Sequence, residues 1–69
     1  MYTRIKDLRE DRDIKQKEIA KLLNISQQAY SNYENEKRQI PYSLLIKIAI
    51  FYNVSLDYIF KLTNKKRSP

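Results

Sequence analysis

The sequence predicts an all-α fold of five short helices in one compact domain. Apolar residues recur every three or four positions along the chain, which is the period of helices with one buried face. Ser or Pro precedes three of these segments, and both residues favour helix starts. The 69 residues are enough for a single small domain.

The first two helices are predicted over residues 2–12 and 16–23. In the first, apolar residues recur at three-residue spacing: Tyr2, Ile5 and Leu8. Asp13 ends this helix, because Asp tolerates left-handed backbone better than most residues. The second helix is weakly capped, since the Lys15 side chain before it cannot accept a hydrogen bond.

The next three helices carry clearer boundary signals. Ser26 caps a helix over residues 27–35, and Ser55 caps the fifth. The fourth begins near Pro41, whose fixed φ suits the first helical position, and runs to about Tyr52. Its apolar face consists of Leu45, Ile48, Ala49 and Tyr52.

The chain contains no glycine, although helix ends often need a residue with positive φ. Asn is among the residues that tolerate this conformation best. We therefore expect left-handed backbone at three junctions: Asn24, Asn35 and Asn53. Residues 1–62 form the predicted domain, and residues 63–69 form a basic tail that we expect to be disordered.

Composition narrows the possible functions. The formal net charge is +6 and the pI is about 9.7, which favours polyanionic partners such as nucleic acid. Without Cys or His, we expect no metal site, no catalytic residue, no cofactor and no enzymatic activity. No stretch approaches the ~20 apolar residues of a membrane span. The N-terminus is charged throughout, so we expect a cytoplasmic protein that does not contact a membrane.

The stretch from Gln16 to Glu34 carries the most information about function. It predicts two short helices joined by a tight turn. If Tyr30 and Tyr33 face inward, the outer face of the second helix carries amides and a hydroxyl: Gln27, Gln28, Ser31 and Asn32. An amide can pair bidentately with adenine N6 and N7 in the major groove. The pattern therefore predicts a domain that reads the sequence of double-stranded DNA.

Residues 4–60 resemble the helix-turn-helix family of phage Cro and repressor proteins and of similar bacterial regulators. The matching segments are, in order, QKEIAKLLNISQQAYSNYENEKRQIP and LLIKIAIFYNVSLDYIF. Paired Gln27 and Gln28 together with Gln16 are most similar to a lambdoid phage repressor. The resemblance implies a lambda-repressor-like fold, with double-stranded DNA as the partner. No small-molecule ligand is evident from the sequence.

The resemblance also implies roles for individual residues. Base edges would be read by Gln27, Gln28, Asn32 and Ser31. Phosphates would be bound by Gln16, Asn35, Lys37 and Arg38. Gln16 would also brace the recognition helix, and Lys15, in place of the usual hydroxyl cap, could approach phosphate. Arg9 and Glu34 match a pair that forms an internal salt bridge in some members.

Departures from the family pattern are informative. The family's glycine positions carry other residues here: Asp13, Asn24, Glu36 and Asn53. Glu36 would place a carboxylate in the loop expected to meet phosphate. Ile50 and Tyr58 are apolar where members usually carry charge, and we expect both to be exposed. We therefore expect a homodimer on a near-palindromic operator, with an interface formed by Ile50, Leu56, Tyr58 and Phe60.

Two classes of function remain open from the sequence. The favoured one is a transcriptional repressor that binds DNA. The alternative is an antitoxin or another protein-interaction module on the same fold. An antitoxin usually adds a segment that wraps its toxin, and only residues 63–69 follow the predicted domain here.

Overall fold

The structure is a computed structural model and describes residues 3–67 of the chain. Five helices follow one another in this part of the chain: α1 Ile5–Asp11, α2 Gln16–Leu22, α3 Gln27–Glu34, α4 Tyr42–Tyr52 and α5 Leu56–Ile59. Residues 3–67 contain no strand, so the predicted all-α fold of five helices is confirmed. Tyr2, at which the first helix was predicted to begin, lies outside the described residues.

Side-chain caps set the starts of two helices. The Ser26 Oγ accepts the Ala29 N–H at 3.0 Å at the start of α3. The Ser55 Oγ accepts the Tyr58 N–H at 3.0 Å at the start of α5. Each cap of this kind stabilises a helix by about 1 kcal/mol. Lys15 precedes α2 without a side-chain cap bond, so the predictions for all three helix starts are confirmed.

The start of α4 differs from the prediction. Pro41 has a ψ of 147°, which is extended backbone, so proline caps the helix and Tyr42 is the first helical residue. The Pro41 carbonyl oxygen accepts the N–H groups of Leu44 and Leu45, both at 3.1 Å. The fixed φ of proline fits both the cap and the first helical position, and only the ψ angle distinguishes the two.

Left-handed backbone replaces glycine at the helix junctions. The angle φ is 57° at Asp13 and 58° at Asn24 and Asn53, which confirms these three expectations. The expectation for Asn35 is wrong, because its φ is −88°. The next residue, Glu36, has the positive φ, at 62°.

The geometry at the end of α3 explains this one-residue shift. The Asn35 N–H still completes the helix by donating to the Ser31 carbonyl oxygen at 2.9 Å. The Lys37 N–H then reaches back to the Asn32 carbonyl oxygen at 2.9 Å. In a helix end closed by such a bond, the left-handed residue is the one immediately after the helix cap. The cap is Asn35, so the left-handed residue is Glu36. Outside glycine, left-handed backbone costs roughly 1–2 kcal/mol.

The core consists of side chains from all five helices and from residues beside them. Its buried apolar members are Ile5, Leu8, Ile19, Ala20, Leu23, Tyr30, Ile40, Leu45, Ile48, Tyr52 and Ile59. Full burial of a large apolar side chain contributes about 1.5–3 kcal/mol. Ala20 is small, and this allows α2 and α3 to approach each other closely. The core thereby fixes the orientation of α3.

The basic tail, which we expected to be disordered, contacts the domain over its described part. The Arg4 guanidinium donates to the Thr63 carbonyl oxygen at 3.1 Å and to the Asn64 side-chain oxygen at 2.9 Å. The Ser55 N–H donates to the Lys66 carbonyl oxygen at 2.7 Å. These partners are far apart in the sequence, so no local pattern relates them. The last two residues lie outside the described part, and the domain boundary stays a prediction.

Candidate nucleic-acid interface

Helices α2 and α3 form a helix-turn-helix unit. The Asn24 N–H donates to the Lys21 carbonyl oxygen at 3.1 Å, and the Ile25 N–H donates to that of Ala20 at 3.0 Å. The Ile25 side chain packs against the core, and Ser26 then caps α3. Backbone hydrogen bonds and one apolar anchor therefore set the angle at which α3 leaves the turn.

Helix α3 has two chemically different faces. Its inner face carries Tyr30, which is fully buried, and Glu34, which is 9% exposed. Its outer face carries the residues predicted to read bases: Gln27, Gln28, Ser31 and Asn32. Both glutamines are exposed, and the other two residues are half-buried. The outer face therefore presents neutral hydrogen-bond donors and acceptors without a competing charge.

Two hydrogen bonds tie polar side chains of this region into pairs. The Gln28 Nε2 donates to the Asn32 Oδ1 at 3.2 Å. The Asn35 Nδ2 donates to the Ser31 Oγ at 3.1 Å. Residues four apart are neighbours on a helix surface, so each bond restricts both of its side chains. Sequence reasoning missed both pairs, although their four-residue spacing was a usable signal.

A buried ion pair anchors α3 to α1. The Arg9 Nε donates to the Glu34 Oε2 at 2.9 Å, and the Arg9 Nη2 donates to the Glu34 Oε1 at 2.8 Å. The side chains of Arg9 and Glu34 are 13% and 1% exposed. The third guanidinium nitrogen, Nη1, donates to the Ile14 carbonyl oxygen at 2.8 Å. All three nitrogens have acceptors, as a charge with little access to water requires.

Gln16 joins α2 to the same carboxylate. Its Nε2 donates to the Glu34 Oε1 at 3.2 Å, so one carboxylate connects the first three helices. This bond is a bracing contact of the kind that the resemblance implies for Gln16. One Nε2 proton remains for a phosphate, and that contact stays a prediction. Lys15, beside it, is exposed at the start of α2.

The charges of this network follow from its geometry. Burial alone would raise the pKa of Glu34, but the interactions with Arg9, Tyr30 and Gln16 outweigh it and lower that pKa below its ordinary value. The hydrogen bond to Glu34 raises the pKa of Arg9. Burial first, and the Glu34 carboxylate second, raise the pKa of Tyr30. At neutral pH the site therefore holds one positive and one negative charge.

The loop after α3 carries three residues expected to bind phosphate. Asn35, Lys37 and Arg38 are all exposed. The N–H groups of Lys37 and Arg38 both donate to the Asn32 carbonyl oxygen, at 2.9 and 3.3 Å, which folds the loop back against α3. Glu36 is exposed and lines a cavity of about 200 Å³ together with Arg38. The loop expected to bind phosphate therefore carries an exposed acidic residue as well as basic ones.

The residues expected at a dimer interface differ in exposure. Ile50 on α4 is 74% exposed, whereas Leu56, Tyr58 and Phe60 are half-buried. The expectation that Tyr58 is exposed is wrong, because the Arg4 guanidinium covers its ring at 4.3 Å from the ring centre. A cation over an aromatic ring is attracted by the negative face of the ring.

An apolar stripe on α4 extends from Ile50 and was missed from the sequence. Tyr42 and Ile46 precede Ile50 at four-residue intervals and are 64% and 43% exposed. The three side chains lie along one side of the helix. We call Tyr42, Ile46 and Ile50 the α4 stripe. The four-residue spacing of these residues is visible in the sequence, but only the buried face of α4 was assigned from it.

Other kinds of site are not found in the described residues. Within residues 3–67, no helix is long and apolar enough to cross a membrane. The same part of the chain holds no group of three or more side chains that could ligate a metal ion. The outer face of α3 and the loop that follows it, with their exposed amides and basic side chains, are the candidate functional site.

The turn, the anchored helix and the basic loop define a helix-turn-helix DNA-binding domain. Residues 5–59 match the family described as helix-turn-helix. The chain belongs to this family, in its Cro/C1 type, which confirms the resemblance seen in the sequence.

Three proteins of Bacillus subtilis (strain 168) are similar to this chain. HTH-type transcriptional regulator ImmR is 41% identical over 56 residues, which cover 81% of this chain and 44% of ImmR. The uncharacterized regulators YobD and YqaE are 33% identical over 61 residues and 37% identical over 57 residues. These matches cover 88% and 83% of this chain, and 54% of YobD and 49% of YqaE. The chain thus spans about half the length of the curated relatives it matches.

Proposed function

We propose that this chain regulates transcription by binding double-stranded DNA at specific sequences, as a homodimeric repressor on a near-palindromic operator. The observation that carries the proposal is the outer face of α3. It presents Gln27, Gln28, Ser31 and Asn32 on a helix fixed by a buried ion pair. Amides on a rigid helix match the donor and acceptor patterns of base edges in the major groove.

Phosphate contacts on either side of α3 would position it in the groove. Gln16 and Lys15 lie at the start of α2, and Asn35, Lys37 and Arg38 lie in the loop after α3. Such contacts fix the register of a protein on DNA and supply affinity through counterion release. The net charge of +6 favours the same partner.

A dimer follows from the small number of bases that one helix can read. Two half-sites about one DNA turn apart give the specificity that a single recognition helix lacks. Ile50, Leu56, Tyr58 and Phe60 would form the interface. The strongest support comes from Ile50, which is apolar and 74% exposed. An interface this small favours dimerisation on DNA rather than in the free protein.

Repression needs no chemistry beyond occupation of the operator. A dimer bound across a promoter would exclude RNA polymerase from the same DNA, whereas activation would need an additional productive contact. The names of ImmR, YobD and YqaE describe those proteins as transcriptional regulators, which supports the same class of function here.

Footprinting of the DNA upstream of the gene for this chain tests the proposal. We expect a protected segment with two related half-sites. In gel shifts at fixed salt, the full segment should bind more tightly than an isolated half-site. Equal binding to the two duplexes would exclude the cooperative dimer. Protection no stronger than on random DNA would exclude sequence-specific binding itself.

A further inference from the structure

We propose that Gln28 and Asn32 read DNA as one coupled unit and that the direction of their hydrogen bond assigns a base to each. Gln28 is assigned to adenine, and Asn32 to guanine, whose two major-groove acceptors match the two free protons of its amide. This inference rests on the proposed function, since it names the bases that the outer face of α3 would recognise.

The geometry places the two side chains in contact before DNA arrives. The Gln28 Nε2 donates to the Asn32 Oδ1 at 3.2 Å on the outer face of α3. A hydrogen bond between residues four apart limits the rotamers of both side chains. Because the bond is present in the free protein, less side-chain freedom is lost when the pair binds DNA. Loss of either member should therefore impair the other.

The bond leaves Gln28 with the pattern that adenine requires. One of its two Nε2 protons is donated to Asn32, so one proton and the Oε1 acceptor remain. Adenine offers the N7 acceptor and the N6 donor on its major-groove edge. The free proton of Gln28 matches N7, and its oxygen matches N6.

The same bond makes Asn32 mainly a donor. Its Oδ1 already accepts one bond from Gln28, while both Nδ2 protons remain free. Guanine presents two acceptors in the major groove, N7 and O6, whereas thymine presents one, O4, so guanine matches both protons. The backbone carbonyl oxygen of Asn32, by contrast, accepts the N–H groups of Lys37 and Arg38. Those two bonds link the pair to the loop expected to bind phosphate.

Gln27 and Asn32 provide a matched control within the same helix. Gln27 is an exposed amide like Gln28, but it lies five residues from Asn32 rather than four. Residues five apart do not face each other along a helix surface. Coupling with Asn32 should therefore be found for Gln28 and not for Gln27.

The first experiment selects duplexes from a randomised library with the wild-type chain and with Asn32→Ala. The wild type should enrich an adenine and, within about two base pairs of it, a guanine. Asn32→Ala should weaken the preference at both positions. A preference for adenine that survives Asn32→Ala unchanged would overturn the coupling. Enrichment of a base other than adenine at the position that Gln28→Ala affects would overturn the base assignment.

The second experiment is a double-mutant cycle on the selected duplex. Gln28→Ala and Asn32→Ala should each weaken binding by about 5- to 150-fold. The double variant should bind at least about fivefold more tightly than the product of these losses predicts, which is the signature of coupled residues. The Gln27/Asn32 cycle should be multiplicative. A multiplicative Gln28/Asn32 cycle would contradict the proposal.

A measurement without DNA separates this inference from the proposed function. In proton–nitrogen NMR spectra of the free protein, Asn32→Ala should shift the side-chain amide signals of Gln28 and leave those of Gln27 in place. Unshifted Gln28 signals would show that the pair does not exist. If the wild type enriches no sequence, the proposed function fails and the base assignment fails with it.

Discussion

Helices α3 and α4 follow the same helical period but differ on their outer sides. Each buries a tyrosine, Tyr30 on α3 and Tyr52 on α4. The outer side of α3 carries amides and a hydroxyl, whereas α4 exposes the apolar α4 stripe. The inner faces contribute to one common core, although that of α3 also carries the buried Glu34.

This difference indicates which kind of partner suits each helix. Amides keep their hydrogen bonds when base edges replace water, because groove edges offer matching donors and acceptors. Apolar side chains gain free energy when another surface removes them from water. The outer face of α3 therefore suits DNA, and the α4 stripe suits another protein surface. The predictions below test this contrast, starting with the largest expected effect.

The anchor beneath α3 should be the most sensitive point in the molecule. Glu34→Ala leaves the buried Arg9 charge without its partner, so we expect the free energy of unfolding to fall by about 3–5 kcal/mol. A urea or thermal melt measures this loss. Glu10→Ala, which removes an exposed carboxylate of α1, is the control and should change stability little. A melting midpoint that Glu34→Ala barely shifts would show that the ion pair does not anchor α3.

Acid should weaken the same anchor. The folded protein lowers the pKa of Glu34 below the ordinary 4.5, so the unfolded chain takes up its proton first as the pH falls. The stabilisation is therefore complete above about pH 4.5 and is lost as the pH falls through the folded pKa. Between the pKa values of Glu34 in the folded and unfolded states, the free energy of unfolding should change by up to about 1.4 kcal/mol per pH unit. This slope corresponds to the uptake of about one proton on unfolding. Glu34→Gln should remove this component, and an unchanged pH dependence would contradict the assignment.

Gln28→Ala tests the reading face directly. We expect a loss of about 1–3 kcal/mol on the preferred site, because one bidentate base contact disappears. Binding to random duplex at the same salt concentration should change little, and the thermal midpoint should stay close to that of wild type. Equal losses on the preferred and random duplexes would assign Gln28 to phosphate rather than to a base.

Ile50→Lys tests the apolar side of the comparison. A lysine on each partner would place like charges in the proposed interface, so binding to the full operator should weaken by about 1 kcal/mol or more. Binding to an isolated half-site should not weaken. Lys47→Ser, an exposed change elsewhere on α4, is the control. If Ile50→Lys weakens half-site and full-site binding equally, Ile50 is not at the dimer interface.

Arg38→Ala should produce the smallest and least selective effect. Loss of one phosphate contact should weaken binding to all duplexes alike and flatten the slope of log affinity against log salt by about one unit. Titrations at several salt concentrations measure that slope. An unchanged slope would remove Arg38 from the phosphate contacts.

Local features of the fold could be predicted from the sequence. Ser26 and Ser55 mark helix starts because a cap bond spans only three residues. Asn24 and Asn53 mark helix ends because few residues other than glycine accept positive φ. At the end of α3, the preference of Asn for positive φ predicted the wrong residue, because the left-handed position is Glu36 and not Asn35. The geometry of the turn, and not the best-suited residue, determines where this position falls.

Contacts between distant residues could not be predicted. The Arg4 guanidinium lies over Tyr58 and also donates to Thr63, and no local pattern relates residues so far apart. At the candidate site, the pairing of Arg9 with Glu34 came from the family resemblance and not from spacing. The bond from Gln28 to Asn32 could have been predicted, because residues four apart are neighbours on a helix surface. It was missed because each residue was treated separately.

The central claim is that the polar outer face of α3 supplies sequence recognition. The most direct test compares wild type with a variant in which four residues are alanine: Gln27→Ala, Gln28→Ala, Ser31→Ala and Asn32→Ala. Because all four lie on the outer face and alanine favours helix, the variant should remain folded. We expect wild type to bind the selected duplex about a thousandfold or more tightly than a scrambled one. For the variant this ratio should fall close to one, and a folded variant that kept the wild-type ratio would contradict the claim.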